Sequence, residues 1–354
     1  MHFQFNAIVI IIWIIGLIFF WLGGIFIKLV FFKAKIDPIH LHELNNDYLI
    51  KKTNLRVLFL LAYPLIIFIG YKLFTLLSKF NFNLADEEFQ KNLGSGVLGH
   101  SILFLSVITI FLLIFFQKNY YKIHQVLIII FTLIFEIFYG VKSWIIIPLI
   151  SAFLGRLIIQ KTKLKLYHAL IAIIPFIVFW LIYQISLGMN SNNNEFIIRH
   201  MVGYLFAGPI GMSEHLSKGL PIGQRPEYAF TPIINAFRFA IGEKPLDVIS
   251  NYVVSLPSGF TTNVKTFFGT LYIYGGYTYI LTSFMFGLIY YTYLMFFCLF
   301  SKFTIAPFMT TLYAFMLGLL FMGWFDNYAI LLPFYEVPIW TTVLHYIFLL
   351  KKQI

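Results

Sequence analysis

The sequence predicts an all-α polytopic membrane protein with about nine transmembrane helices and one large external loop carrying amphipathic helices. Three observations predict it. The chain is 60% hydrophobic and only 11% charged, with a mean hydropathy of +0.86, whereas soluble domains carry about 25% charged residues. Its apolar residues fall in runs of the length a bilayer demands, about 20 residues for roughly 30 Å of hydrocarbon. One long connection, residues 189 to about 266, separates those runs into two groups.

The expected spans are, approximately, residues 7–30, 56–77, 97–116, 123–140, 144–160, 167–188, 278–299, 304–325 and 328–350. The first lacks a basic leader and a small-residue cleavage pattern, so it is expected to stay as an anchor. Only Val141, Lys142 and Ser143 join the fourth and fifth, which therefore form a tight hairpin. The apolar run from Phe267 to Phe300 is too long for one straight span, and Gly275 with Gly276 is its natural break. Residues 264–274 are thus expected as a short helix or re-entrant piece, and 278–299 as the span. Pro333 and Pro338 interrupt the ninth. The expected domains are an N-terminal bundle of about six spans (1–188), the external loop (189–266) and a C-terminal bundle of about three (267–354).

Charge sets the expected orientation. With the N-terminus outside, one set of connections collects fifteen of the 25 Lys and Arg against three of the 14 Asp and Glu. Lys and Arg resist translocation in short loops, so that face is cytoplasmic and holds the C-terminus. The net charge of +11 is a topology signal. No basic run interleaves with aromatics in a soluble segment, so nucleic acid is not an expected partner.

Other chemistries are excluded by what the motifs lack. The single cysteine, Cys298, lies in an apolar run and permits no internal disulfide. There is no Walker loop and no G-x-G-x-x-G. The histidines are scattered, HLHE at 40–43 reads as a solvated loop, and Asp86 and Glu87 in ADEEF read as a hydrated surface. No metal and no cofactor are expected.

Ionisable residues near the membrane are functional candidates because burying a charge in lipid is costly. Glu136, Asp326 and Glu336 fall toward the outer ends of expected spans and Lys142 in the outer hairpin turn, which points to an outward-facing polar cavity. The long loop adds Arg199, His200, Lys218, Arg225, Arg238, Lys244 and Lys265. Its stretch TPIINAFRFAIG, residues 231–242, has helical period: Thr231, Asn235, Arg238 and Gly242 share one stripe, with Ile233, Phe237, Ala240 and Ile241 opposite. Such a helix is expected to lie flat at the interface, with Arg238 as its only charge.

The segment SGFTTNVKTFFGTLYIYGGYTYI, residues 258–280, contains Asn263, Val264, Thr266 and Gly269 followed by an aromatic-rich stretch through Gly276. It resembles the oligosaccharide repeat-unit polymerases, the Wzy-type O-antigen and capsule polymerases. The plan of many spans, a hairpin with Gly140, Lys142 and Ser143, and one large outer loop is similar too. Two departures stand out: Lys265 occupies a place often aromatic in that family, and nine spans is fewer than many members have. The resemblance implies a GT-C-like membrane glycosyltransferase that joins undecaprenyl-diphosphate-linked oligosaccharides on the outer face of the bacterial cytoplasmic membrane. Membrane lipids, a flippase and a chain-length regulator are the partners it implies. Lys142, Arg199, Arg225, Arg238 and Lys265 are then candidates to neutralise the diphosphate. Glu136, His200, Glu214 and Glu227 are candidates to receive the acceptor hydroxyl's proton. Asn263, Thr266, Asp326 and Glu336 are candidates for glycan-binding or structural roles. The alternatives are a ligase moving finished glycan from the same lipid, a lipid-linked oligosaccharide transporter, and a membrane acyltransferase.

Overall fold

The computed structural model describes residues 5–31, 52–82, 87–116, 120–139, 142–160, 177, 180, 194–223, 225–246, 253–256, 261–303 and 307–350. The sixth expected span, residues 167–188, lies outside them except at Ile177 and Trp180, and HLHE at 40–43 lies outside altogether. Among the described residues the protein is almost wholly helical. One two-residue antiparallel pair, Val254–Ser255 with Thr261–Thr262, is the exception. Among the described residues, five helical stretches are long and apolar enough to cross a membrane: Ile8–Phe31, Leu55–Lys79, Gly96–Ile114, Phe267–Phe297 and Pro307–Trp324. Ser143–Ile158 is a shorter apolar helix.

The chain divides into two compact units, Met1–Asp37 with Glu195–Phe296 and Leu319–Glu336, and Pro38–Asn194 with Phe297–Gly318 and Val337–Ile354. In the first unit, helix α1 (Ile8–Phe31) buries Val9, Ile12, Gly16, Phe20, Gly23 and Ile27. That spacing of three and four is one helical stripe. Ile11, Ile14, Ile18 and Trp21 on the other side are exposed, so the helix is apolar all round, as a lipid-facing span requires. Small residues let it approach a neighbour closely. A Cβ on Gly23 would collide with the Phe284 carbonyl, and one on Gly287 with the Phe20 carbonyl, so the two backbones touch.

The second unit is centred on α4 (Gly96–Ile114), which buries Ser101 to Leu103 and Leu105 to Leu112. Helices α2 (Lys52–Lys79), α5 (Lys122–Phe138) and α6 (Lys142–Gln160) pack around it, and α3 (Glu87–Leu93) adjoins α2 and α4. Phe111 stacks on Phe308 at 4.5 Å between ring centroids. Gly318 lies against Ser151 and Gly155 against Ile114 and Ala314, so small residues again set close helix spacing.

The long apolar run is split. Helix α7 (Asn194–Ser217) and the amphipathic helix α8 (Thr231–Ala240) precede α9 (Phe267–Gly275), a short helix with every residue buried except Tyr272. Gly276 then takes φ +53°, a conformation that glycine adopts without the usual Cβ penalty. A 3₁₀ turn at Gly276–Thr278 leads into α10 (Tyr279–Phe303). Breaking the helix orphans its last carbonyls. Gly223 N–H donates to the Ile273 carbonyl at 2.7 Å and Arg225 N–H to that of Tyr274 at 2.8 Å, which satisfies them from the preceding loop. Helix α11 (Pro307–Phe321) and α12 (Leu332–Leu350) complete the described chain.

Candidate functional site

The first unit concentrates its buried polar groups at the N-terminal end of α9. Thr266 caps that helix, its Oγ1 accepting the Gly269 N–H at 3.1 Å. Its backbone lies at φ 68°, ψ 164°, a region nearly reserved for glycine. A β-branched residue there stores about 1–3 kcal/mol of strain, which the surroundings must hold in place. They do so through the Thr266 N–H, which donates to the Phe325 carbonyl at 3.1 Å, and through a parallel bridge between Thr266 and Asp326.

That bridge brings Asp326 to the start of α9. Its Oδ1 accepts the Thr270 hydroxyl at 2.8 Å and the Asn327 N–H at 2.8 Å. Asn327 is buried and braces the same corner: its Oδ1 accepts the Ala329 N–H at 3.0 Å, and its Nδ2 donates to the Phe267 carbonyl at 3.4 Å. A carboxylate at a helix N-terminus also meets the positive end of the helix dipole.

Lys265 precedes the cap and is only 2% exposed. The residues before it alternate, Thr261 and Asn263 outward, Thr262 and Val264 inward, and Lys265 breaks the alternation by turning inward too. Gly211 of α7 makes room: a Cβ there would sit 2.5 Å from the Val264 carbonyl oxygen and 3.7 Å from Lys265 Nζ. Lys265 Nζ lies 3.5 Å from the Thr262 carbonyl. Lys265 thus lies inside the unit, while Asn263 is exposed.

Burial lowers the Lys265 pKa to about 8, and the Asp326 charge opposes that shift. Burial raises Asp326 to about 6, against the Thr270 and Asn327 hydrogen bonds and the Lys265 charge. Both groups are ionised near neutrality, yet each lies within a unit or two of it and can change charge when its neighbour does. His215 of α7 is fully buried, with Nε2 3.2 Å from the Pro221 carbonyl. Its pKa is lowered first by burial and further by the Lys265 charge, so it is neutral beside the pair.

The other expected site residues are dispersed. Glu214 pairs with Lys218 one turn away at 3.2 Å. Arg225 and Glu227 are exposed, and Arg225 Nη1 donates to the Tyr228 hydroxyl at 3.1 Å. Arg238 donates from Nε to the Lys244 carbonyl at 2.5 Å and pairs with Glu243 at 3.5 Å, so it fastens the end of α8 to the chain that follows. Glu336 is buried at the other end of the first unit's C-terminal segment. The backbone of Arg199 and His200 lies in α7 and that of Lys142 opens α6, while their side chains lie outside the described residues. Glu136 belongs to the second unit and is 1% exposed, with the Ser106 hydroxyl donating to its Oε1.

The sequence reading missed Thr270, Asn327 and His215. Thr270 lies one turn beyond the cap residue Thr266, and Asp326-Asn327 is a polar pair ending an apolar run, so both carried a usable signal. His215 carried none beyond its residue type. Among the described residues no group of three or more His, Cys, Asp or Glu could hold a metal ion.

No curated protein and no solved structure matches the chain. The match to a family of unknown function, DUF6337, runs over residues 1–354, and the protein belongs to that family.

Proposed function

We propose that this protein is a membrane glycosyltransferase that joins undecaprenyl-diphosphate-linked oligosaccharide repeat units on the outer face of the bacterial cytoplasmic membrane. The product is O-antigen, capsule or exopolysaccharide. The observation that carries the reading is a polar site at the edge of a membrane-length apolar run: Lys265 and Asp326 lie at the N-terminal end of the short buried helix α9. A buried lysine set beside a carboxylate at the edge of an apolar run is costly unless the pair is used. The nine-span GT-C-like arrangement, with the N-terminus outside and the C-terminus cytoplasmic, belongs to the same reading.

In the transfer, the acceptor hydroxyl oxygen bonds to the anomeric carbon as the bond from that carbon to the diphosphate breaks. The departing diphosphate takes the electron pair and needs positive charge more than a proton. Lys265, the cation at the N-terminal end of α9, supplies that charge. The hydroxyl proton passes to Asp326, the carboxylate set with Lys265 and the one whose pKa of about 6 suits a base. Neither a nucleotide sugar nor a metal takes part in this scheme.

A second reading, transport of the lipid-linked oligosaccharide, is favoured by the helix break at Gly275 and Gly276, because transporters commonly place substrate at helix breaks. One experiment separates the two. Purified protein in proteoliposomes is given synthetic undecaprenyl-diphosphate repeat units without ATP or nucleotide sugar. Lipid-linked ladders that disappear in Lys265→Ala support polymerisation. Movement of the substrate across the bilayer with no new glycosidic bond supports transport and ends the polymerase reading.

A further inference from the structure

We propose that helix α8 is a bilayer-docking element, lying along the membrane boundary of the first unit with its apolar face against lipid acyl chains. Its two faces are treated in opposite ways. The polar stripe is covered by the protein's own chain: Asn235 Oδ1 accepts the Leu246 N–H at 2.6 Å, and Arg238 reaches the Lys244 carbonyl and Glu243. The returning segment 243–246 thus saturates the groups that would otherwise hold water. Among the described residues the opposite stripe has no such cover. Phe237 is 70% exposed and Ile241 69%, with Ile233 one turn before them also exposed. No residue of α8 is buried.

The position of the helix identifies what covers that stripe. Immediately before α8, Phe230 stacks on Phe286 at 5.2 Å with the rings nearly parallel. Phe286 lies about two turns, roughly 10 Å, along α10 from Tyr279. At that end of α10, Tyr272, Tyr277 and Tyr279 form a cluster with Tyr277 83% exposed, the arrangement expected of aromatic side chains at the headgroup level. Leu281 and Met285, one and two turns beyond Tyr277 on the same face, are exposed apolar residues of a membrane-length helix. The start of α8 is therefore pinned roughly 10 Å below the aromatic level, about the depth at which an amphipathic helix seats its apolar face in the boundary between headgroups and acyl chains. A water-facing helix would place Phe237 and Ile241 in solvent with their polar stripe hidden, the reverse of the stable arrangement.

The test is site-directed fluorescence in the full-length protein. In a Cys298→Ser background, Phe237→Cys, Ile241→Cys and, as a water-facing control, Lys244→Cys are each labelled with bimane and reconstituted into phosphatidylcholine–phosphatidylglycerol nanodiscs. Brominated acyl chains should quench Phe237→Cys and Ile241→Cys severalfold more than Lys244→Cys, and aqueous iodide should show the opposite order. Similar quenching at positions 237 and 241 is the result for a helix lying along the boundary. Strong iodide quenching at both would place the face in water and overturn the proposal. Shielding from both quenchers would mean that protein covers the face, and would overturn it equally. Two independent label positions, both exposed, guard against failure of one variant to fold.

Discussion

The Thr270 hydroxyl donates to Asp326 Oδ1 at 2.8 Å, joining one turn of α9 to a residue 56 positions later. That bond and the Asn327 N–H converge on the same oxygen, so the carboxylate's orientation is set from two sides. Thr270→Val keeps the shape and removes the donor. The expected cost is about 1–3 kcal/mol, the usual consequence of removing one partner from a partly buried hydrogen bond to a charged group. Thermal unfolding in detergent should show the loss, and Thr270→Ser should restore most of it.

The Lys265–Asp326 pair makes stability depend on pH on both sides of neutrality. Lys265 falls from 10.5 to about 8 on folding. Between those values the unfolded chain binds more protons, so stability rises with pH through that window. Asp326 moves from 3.8 to about 6, so between those values the folded protein binds more protons and stability falls as pH rises. The melting temperature should therefore be lowest between about pH 6 and 8, where both groups are ionised. Lys265→Met should remove the alkaline rise. Asp326→Asn should remove the acid-side fall and start the alkaline rise at lower pH, because Lys265 loses the charge that holds its proton.

Local arithmetic reveals the break in α9–α10. A run from Phe267 to Phe300 exceeds one span, and two adjacent glycines mark where it can turn. The apolar stripe of α1 and the polar stripe of α8 are legible for the same reason, since period is a local property. The partners are not. Thr266 meets Asp326 and Asn6 N–H meets Ser213 Oγ across long stretches of chain, and nothing in either neighbourhood encodes the other. Arg238 shows the limit most clearly. Its helix face was readable, but Glu243 and the Lys244 carbonyl hold it through a turn whose geometry the stripe does not specify.

Close backbone contact predicts a sharp difference between two glycines. A methyl group on Gly287 would strike the Phe20 carbonyl of α1, which is backbone and cannot swing away. Gly287→Ala should cost about 1–3 kcal/mol through forced separation of the helices. Gly70 of α2 has nothing within 4 Å of a Cβ. Gly70→Ala should be stabilising by up to about 1 kcal/mol through helix propensity. Parallel melting curves check both, and a Gly287→Ala protein as stable as the parent would mean that α1 and α10 are not in backbone contact.

Glu136 offers a test of role rather than of packing. One of its oxygens accepts from Ser106, the other has no hydrogen-bond partner among the described residues, and Thr109 donates to Thr132 at 2.7 Å between the same two helices. Both are polar links between α4 and α5. Glu136→Gln retains a carbonyl acceptor for Ser106 and should change stability by less than about 1 kcal/mol, whereas Ser106→Ala should cost about 1–3 kcal/mol. If Glu136 serves only as this link, Glu136→Gln forms lipid-linked ladders at the parent rate in the proteoliposome assay. Loss of ladders with an unchanged melting temperature would instead make Glu136 the proton acceptor, and would transfer that role from Asp326.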